Sequence, residues 1–85
     1  MAVVLLRAPL SELAGGREHA LGGDTVQDVL VALEGRCPPI SGWVLDERRT
    51  IRAHVNVYVN GRLAAAETAV GAADRVHVLP AITGG

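Results

Sequence analysis

The 85-residue sequence predicts an α+β roll, in which one main helix lies across a small mixed sheet of four to five strands. Three observations carry that prediction. "DTVQDVLVALEGR" repeats its apolar residues at helical spacing, "HVNVYVNGRLA" and "RVHVLP" alternate theirs at strand spacing, and "AVVLLR" is an unbroken aliphatic run. A single helical stripe and several strands bury their apolar sides together when stacked as two layers. At this length the chain, residues 1–85, makes one domain with one economical core.

In chain order, Ala2 to Arg7 is the first strand, aliphatic and well buried because it barely alternates, and Pro9 with "LSELAGG" ends it. "REHALGG" supplies a weaker returning strand around His19 to Leu21, with Gly22 and Gly23 as the exit turn. Thr25 to Glu34 is the helix. Asp24 or Thr25 caps its free N–H groups, and Thr25 with Asp28 resembles a capping box in which Asp replaces Glu or Gln. Val26, Val29, Leu30 and Leu33 form the stripe. Gly35 is the expected stop, and Pro38-Pro39 opposes continuation.

The stretch after Cys37, up to residue 54, reads as a long connection with one helical turn, anchored to the globule by Trp43 and long enough to suit a partner-facing segment. Val55, Val57 and Val59 then set the core face of a strand, Asn60-Gly61 turns a hairpin, and Arg62 to Ala65 starts the partner strand. "ETAVGAAD" is a turn-rich link. Val76 and Val78 alternate with His77 and Leu79 until Pro80, which has no N–H for a ladder and releases the chain. Pattern alone leaves the strand order open.

Composition excludes several classes of function. With 49% apolar and 20% charged residues the chain is a folded globule rather than a disordered segment. A net charge of -1, with Arg scattered from Arg7 to Arg75, offers no concentrated positive field, so nucleic acid is not an expected partner. The local cluster Arg48, Arg49, Arg52 reads as a solvated loop. There is no Lys. The chain can therefore be joined to a copy of itself only through its N-terminus or another nucleophile. Cys37 is the single cysteine, which rules out an intramolecular disulfide, fits a reducing cytoplasm and reads as a small packed residue rather than a thiol relay. No apolar run reaches membrane-spanning length, and no membrane partner is expected. His19, His54 and His77 lack metal-ligand spacing, and Ser11, Ser41, Thr50 and Tyr58 form no nucleophilic constellation, so neither a metal nor a bound cofactor is expected.

The sequence closes on "VLPAITGG". Two terminal glycines alone read as a frayed end. Taken with the element order and with "VNVYVNG", however, "VHVLPAITGG" resembles the β-grasp sulfur-carrier family, relatives of the molybdopterin-synthase small subunit and of the thiamine-biosynthesis sulfur carrier. The resemblance covers essentially the whole chain and looks closest to carriers of the cysteine-biosynthesis type. It implies a ubiquitin-like β-grasp roll with strands Val3 to Arg7 and Arg75 to Leu79 side by side, and residues 80–85 as a flexible C-terminal tail.

The resemblance also implies a chemistry. An ATP-dependent, E1-like activating enzyme would adenylylate the carboxyl of Gly85, which then becomes a thiocarboxylate and hands sulfur to a sulfur-accepting synthase. A metallopeptidase would be a further partner of a cysteine-type carrier. The chain itself would be a protein co-substrate rather than an enzyme. Gly84 matches the penultimate glycine of the motif, and Thr83 stands where Ala or Gly is common in relatives. Glycine suits such an end because it has no Cβ to obstruct a narrow channel or an attacking sulfur. Tyr58 and Leu79 are expected anchors, and Arg62 and Arg75 steering charges, on the exposed sheet beside the tail. Three other readings remain open: the small subunit of molybdopterin synthase, a ubiquitin-like modifier whose Gly85 is joined to target amines, and an interaction module with an inert tail.

Overall fold

The computed structural model describes residues 1–80. The aliphatic run at the amino end forms β1, Ala2–Leu6. Its burial alternates although its sequence hardly does, because only one face of the sheet is covered by helix: Ala2, Val4 and Leu6 are buried, whereas Val3 and Leu5 are half-buried. "LSEL", expected only to break the strand, makes a short helix α1, Leu10–Leu13. Burial of Leu10 in the common core holds this single turn, which its length would not. The returning strand β2 is Glu18–Leu21, antiparallel to β1.

The main helix α2 spans Val26–Arg36, and Val26, Val29, Leu30 and Leu33 are 0% exposed. Its N-terminus is capped as the sequence suggests, with one displacement. Thr25 Oγ1 accepts from the Asp28 N–H at 3.2 Å, but the Asp28 carboxylate reaches back to the Asp24 N–H at 3.3 Å. Two further free N–H groups, of Val26 and Gln27, donate to the carbonyls of Thr68 and Ala66, both at 2.9 Å. The turn-rich link thus completes the helix cap from a distance. Gly23 permits the close approach of the preceding turn, since a Cβ there would lie 2.9 Å from the Val29 nitrogen. Gly35 does not stop the helix. An interior glycine disfavours a helix by only about 1 kcal/mol, and the Cys37 N–H still donates to the Leu33 carbonyl at 2.9 Å; Pro38 imposes the end.

The connection that follows is held rather than loose. Pro38–Ile40 form a 3-10 turn, the one helical turn expected there. Ile40, Val44 and Leu45 anchor the segment in the core, whereas Trp43 is 48% exposed. Trp43 is therefore not the anchor expected of it. Three backbone N–H groups, of Gly42, Val44 and Leu45, donate to one oxygen of Glu34 at 3.2, 3.0 and 3.0 Å. That oxygen points Trp43 outward by holding the residues on either side of it. The Asp46 carboxylate accepts from the Arg48 and Thr50 N–H groups, both at 2.9 Å, and Leu45 bridges Ile51.

β3, Val55–Val59, turns at Asn60-Gly61, both at positive φ (52° and 86°), into β4. β4 is only Arg62–Leu63, shorter than the expected run to Ala65, although the Ala64 N–H still donates to the Val57 carbonyl at 2.8 Å. β5 is Arg75–Pro80. The sheet order is β2-β1-β5-β3-β4, with β1 and β5 parallel at its centre and the remaining pairs antiparallel. This is a β-grasp roll. Val4 pairs Val76 and Leu6 pairs Val78, so the two central strands present one valine- and leucine-rich face to α2. Among the described residues no polar or charged side chain is buried, and no helix is long and apolar enough to cross a membrane.

Candidate functional site

What the second sheet face displays follows from strand alternation. If Val76 and Val78 turn toward α2, then Arg75, His77 and Leu79 turn away, and the cross-strand partners place Leu5 and Tyr58 on either side of His77. Val3 stands beside Arg75, Asn56 beside Leu79, and Leu63 beside Tyr58. Among the described residues no helix covers this face. Leu63 at its edge is 69% exposed, and Leu5, Tyr58, His77 and Leu79 are half-buried. The face is apolar at its centre with cations at its margin, an arrangement that suits a protein partner.

A shallow depression of about 220 Å³ lies on it, lined by Arg7, Tyr58, Gly61, His77 and Leu79. Of the four residues expected to meet a partner, the fold brings Tyr58, Leu79 and Arg75 onto this face. Arg62 is placed otherwise. It pairs with Val59, whose side is that of Val57 and Val76, and it lines a different depression with Thr68, Ala69 and Asp74. Arg7 and His77 were missed as members of the face. Their signal lay in strand register, since His77 alternates with the valines, but only the pairing of β5 with both β1 and β3 makes it central. Thr83, Gly84 and Gly85 lie outside the described residues. The last described residue, Pro80, pairs with Val55 and follows Leu79 directly, so residues 81–85 are joined to this end of β5.

Elsewhere the fold makes one contact that sequence distance hid. Cys37 is buried, and its Sγ lies 3.9 Å from Nδ1 of His19, whose Nε2 is 3.0 Å from the Gly16 carbonyl. With Nε2–H donating to Gly16, Nδ1 is left to accept from the thiol, so the pair satisfies itself inside the core margin. Among the described residues there is no group of three or more His, Cys, Asp or Glu side chains able to hold a metal ion. The candidate site is this open, apolar-centred sheet face, from whose strand β5 the chain continues into residues 81–85.

Relatives share this fold. The chain is 36% identical over 83 residues to small archaeal modifier protein 1 of Haloferax volcanii, covering 94% of this chain and 95% of that protein. The crystal structure of that modifier superimposes with a TM-score of 0.85 over 99% of this chain and 98% of the other. The solution structure of small archaeal modifier protein 1 from Methanosarcina acetivorans gives a TM-score of 0.87 at 30% identity, covering 99% of this chain and 95% of that one. A chain of the Amycolatopsis orientalis BexX/CysO complex gives 0.86 at 27% identity, with both chains covered in full. Residues 4–85 match the profile of the ThiS family. From the paired central strands through the closing glycines, this chain belongs to the ThiS family, within the β-grasp superfamily of sulfur carriers and small protein modifiers.

Proposed function

We propose that this chain is a small protein modifier, activated at the carboxyl of Gly85 and joined through it to amines of other proteins. One observation carries the choice: the relatives at 36% and 30% identity are both named as modifiers, while the CysO-complex chain stands at 27%. The chain is then a co-substrate, handled in the cytoplasm by an E1-like activating enzyme that docks on the open sheet face. In the first step a Gly85 carboxylate oxygen attacks the α-phosphorus of ATP, the α–β phosphoanhydride bond breaks and pyrophosphate leaves. A target amine then attacks the carbonyl carbon, the bond to AMP breaks, and the amine loses its proton as the amide forms. Glycine at both final positions keeps that carbonyl unobstructed. Lacking Lys, the chain would form single attachments rather than lysine-linked polymers of itself.

A second reading shares the adenylate and is favoured by the full-length match to the BexX/CysO complex chain: sulfide attacks the carbonyl carbon, the bond to AMP breaks, and the resulting thiocarboxylate supplies a sulfur-accepting synthase. In a cysteine-type pathway a metallopeptidase would then release the product. The two readings separate in one experiment. Trypsin cuts after Arg75, so a modified lysine would carry "VHVLPAITGG" as its remnant. Tagged chain expressed in its own cells should yield that branched peptide from denatured protein, and deletion of Gly85 should remove it. Finding instead only free chain with one oxygen exchanged for sulfur would overturn the modifier reading in favour of the carrier.

A further inference from the structure

Trp43 is the only tryptophan of the chain, and it stands 48% exposed on a segment that is otherwise firmly held. Glu34 fixes the N–H groups of Gly42, Val44 and Leu45, and Arg52 Nε–H donates to the Gly42 carbonyl. Gln27 Nε2–H donates to the Arg49 carbonyl at 3.1 Å, tying the far side of the lobe to α2. A large aromatic left in water on a pre-ordered lobe is the form that an interface anchor takes, because little ordering entropy remains to be lost on docking.

The position of the lobe identifies its partner. Val55 sits opposite Pro80, the Val55 N–H donates to the Arg52 carbonyl at 3.0 Å, and Arg52 in turn holds Gly42, the neighbour of Trp43. The lobe is therefore stitched to the strand end to which residues 81–85 are joined. Five residues fully extended span at most about 18 Å. An enzyme that acts on the Gly85 carbonyl must bring its surface within that reach of Pro80, so it meets this end of the molecule as well as the sheet face. The lobe carries exposed Arg48, Arg49 and Arg52 against exposed Glu47, while the Asp46 carboxylate is occupied by the backbone of Arg48 and Thr50.

We propose that residues 41–52 are a second docking element for the ATP-dependent activating enzyme, with Trp43 filling an apolar cavity of that enzyme and Arg48 facing carboxylates at the cavity rim. The proposal rests on Gly85 being the activated end, and the activating enzyme is chosen because the modifier and carrier readings share it. The test is ATP–pyrophosphate exchange by the purified activating enzyme, measured against the concentration of the full chain. Trp43→Ala should raise KM about tenfold with kcat at saturation little changed, and Trp43→Phe should recover most of the loss. Arg48→Glu should raise KM at low salt, with the difference shrinking as salt is added. Exchange by the wild-type chain with an unchanged KM for Trp43→Ala and Arg48→Glu overturns the lobe alone. Absence of exchange with the wild-type chain, using an enzyme active on another carrier, overturns the Gly85 reading and this partner with it.

Discussion

Single residues decide where this chain is tight and where it is open. Asp74 is one such residue beside the β3–β4 turn. Its carboxylate accepts from the Gly71 N–H at 2.7 Å and from Asn60 Nδ2 at 2.8 Å, and these two bonds, the backbone one foremost, hold its pKa below the ordinary 3.8. Asp46 is lowered in the same way, first by the Thr50 N–H and then by Arg48. A carboxylate whose folded pKa is depressed contributes stability above its ordinary value, and that contribution is lost as pH falls through the lower folded value. The melting temperature should accordingly drop as the pH is taken below about 4, and Asp74→Asn should lessen the drop. A drop of equal size in Asp74→Asn, read by circular dichroism at several pH values, would show that the acid response comes from other groups.

At the scale of elements, α2 was the most legible part of the sequence and also the source of a clear error. The stripe, the Thr25 cap and the approach to Pro38 were all written in local spacing, because each depends on residues within one or two turns. The end at Gly35 was misread, since a glycine's modest backbone cost is outweighed when the turn around it is packed through Leu33 and Cys37. A Cβ at Gly35 would meet nothing within 4 Å. Gly35→Ala should therefore stabilise the protein by about 0.5–1 kcal/mol, seen as a higher denaturation midpoint at unchanged slope. A lower midpoint would mean that the glycine is needed by the loop rather than merely tolerated by the helix. β4 was overestimated for a related reason: a hairpin signal specifies the turn, but the length of the second strand depends on what it packs against.

For the whole molecule, the tie between α2 and the 37–54 connection is the least predictable feature and the one with the widest reach. Glu34 enters the sequence reading only as the last residue of the expected helix, yet one of its oxygens gathers three N–H groups from a segment 8 to 11 residues further on. Glu34→Ala should cost about 1–3 kcal/mol and speed amide exchange at Gly42, Val44 and Leu45 while the central β1 and β5 amides stay protected. Uniform loss of protection across the sheet would show that the lobe is integral to the core rather than a tied appendage. The same scale separates the partner residues: Tyr58, Arg75 and Leu79 were legible as exposed strand positions, but their company with Arg7 and His77, and the departure of Arg62, depend on pairing between segments distant in sequence.

The sequence by itself determined the helix, the alternating strands, the Asn60-Gly61 turn and the family to which the closing "VLPAITGG" points, because periodicity, caps and turn chemistry act between near neighbours. Only the tertiary structure decided that "LSEL" would be helical, that Trp43 would face water while Ile40, Val44 and Leu45 took the core, and that His77 would stand between Leu5 and Tyr58. Those outcomes turn on which apolar side chain finds a partner across the fold, and burial against a distant neighbour outweighs local preference wherever the local preference is weak.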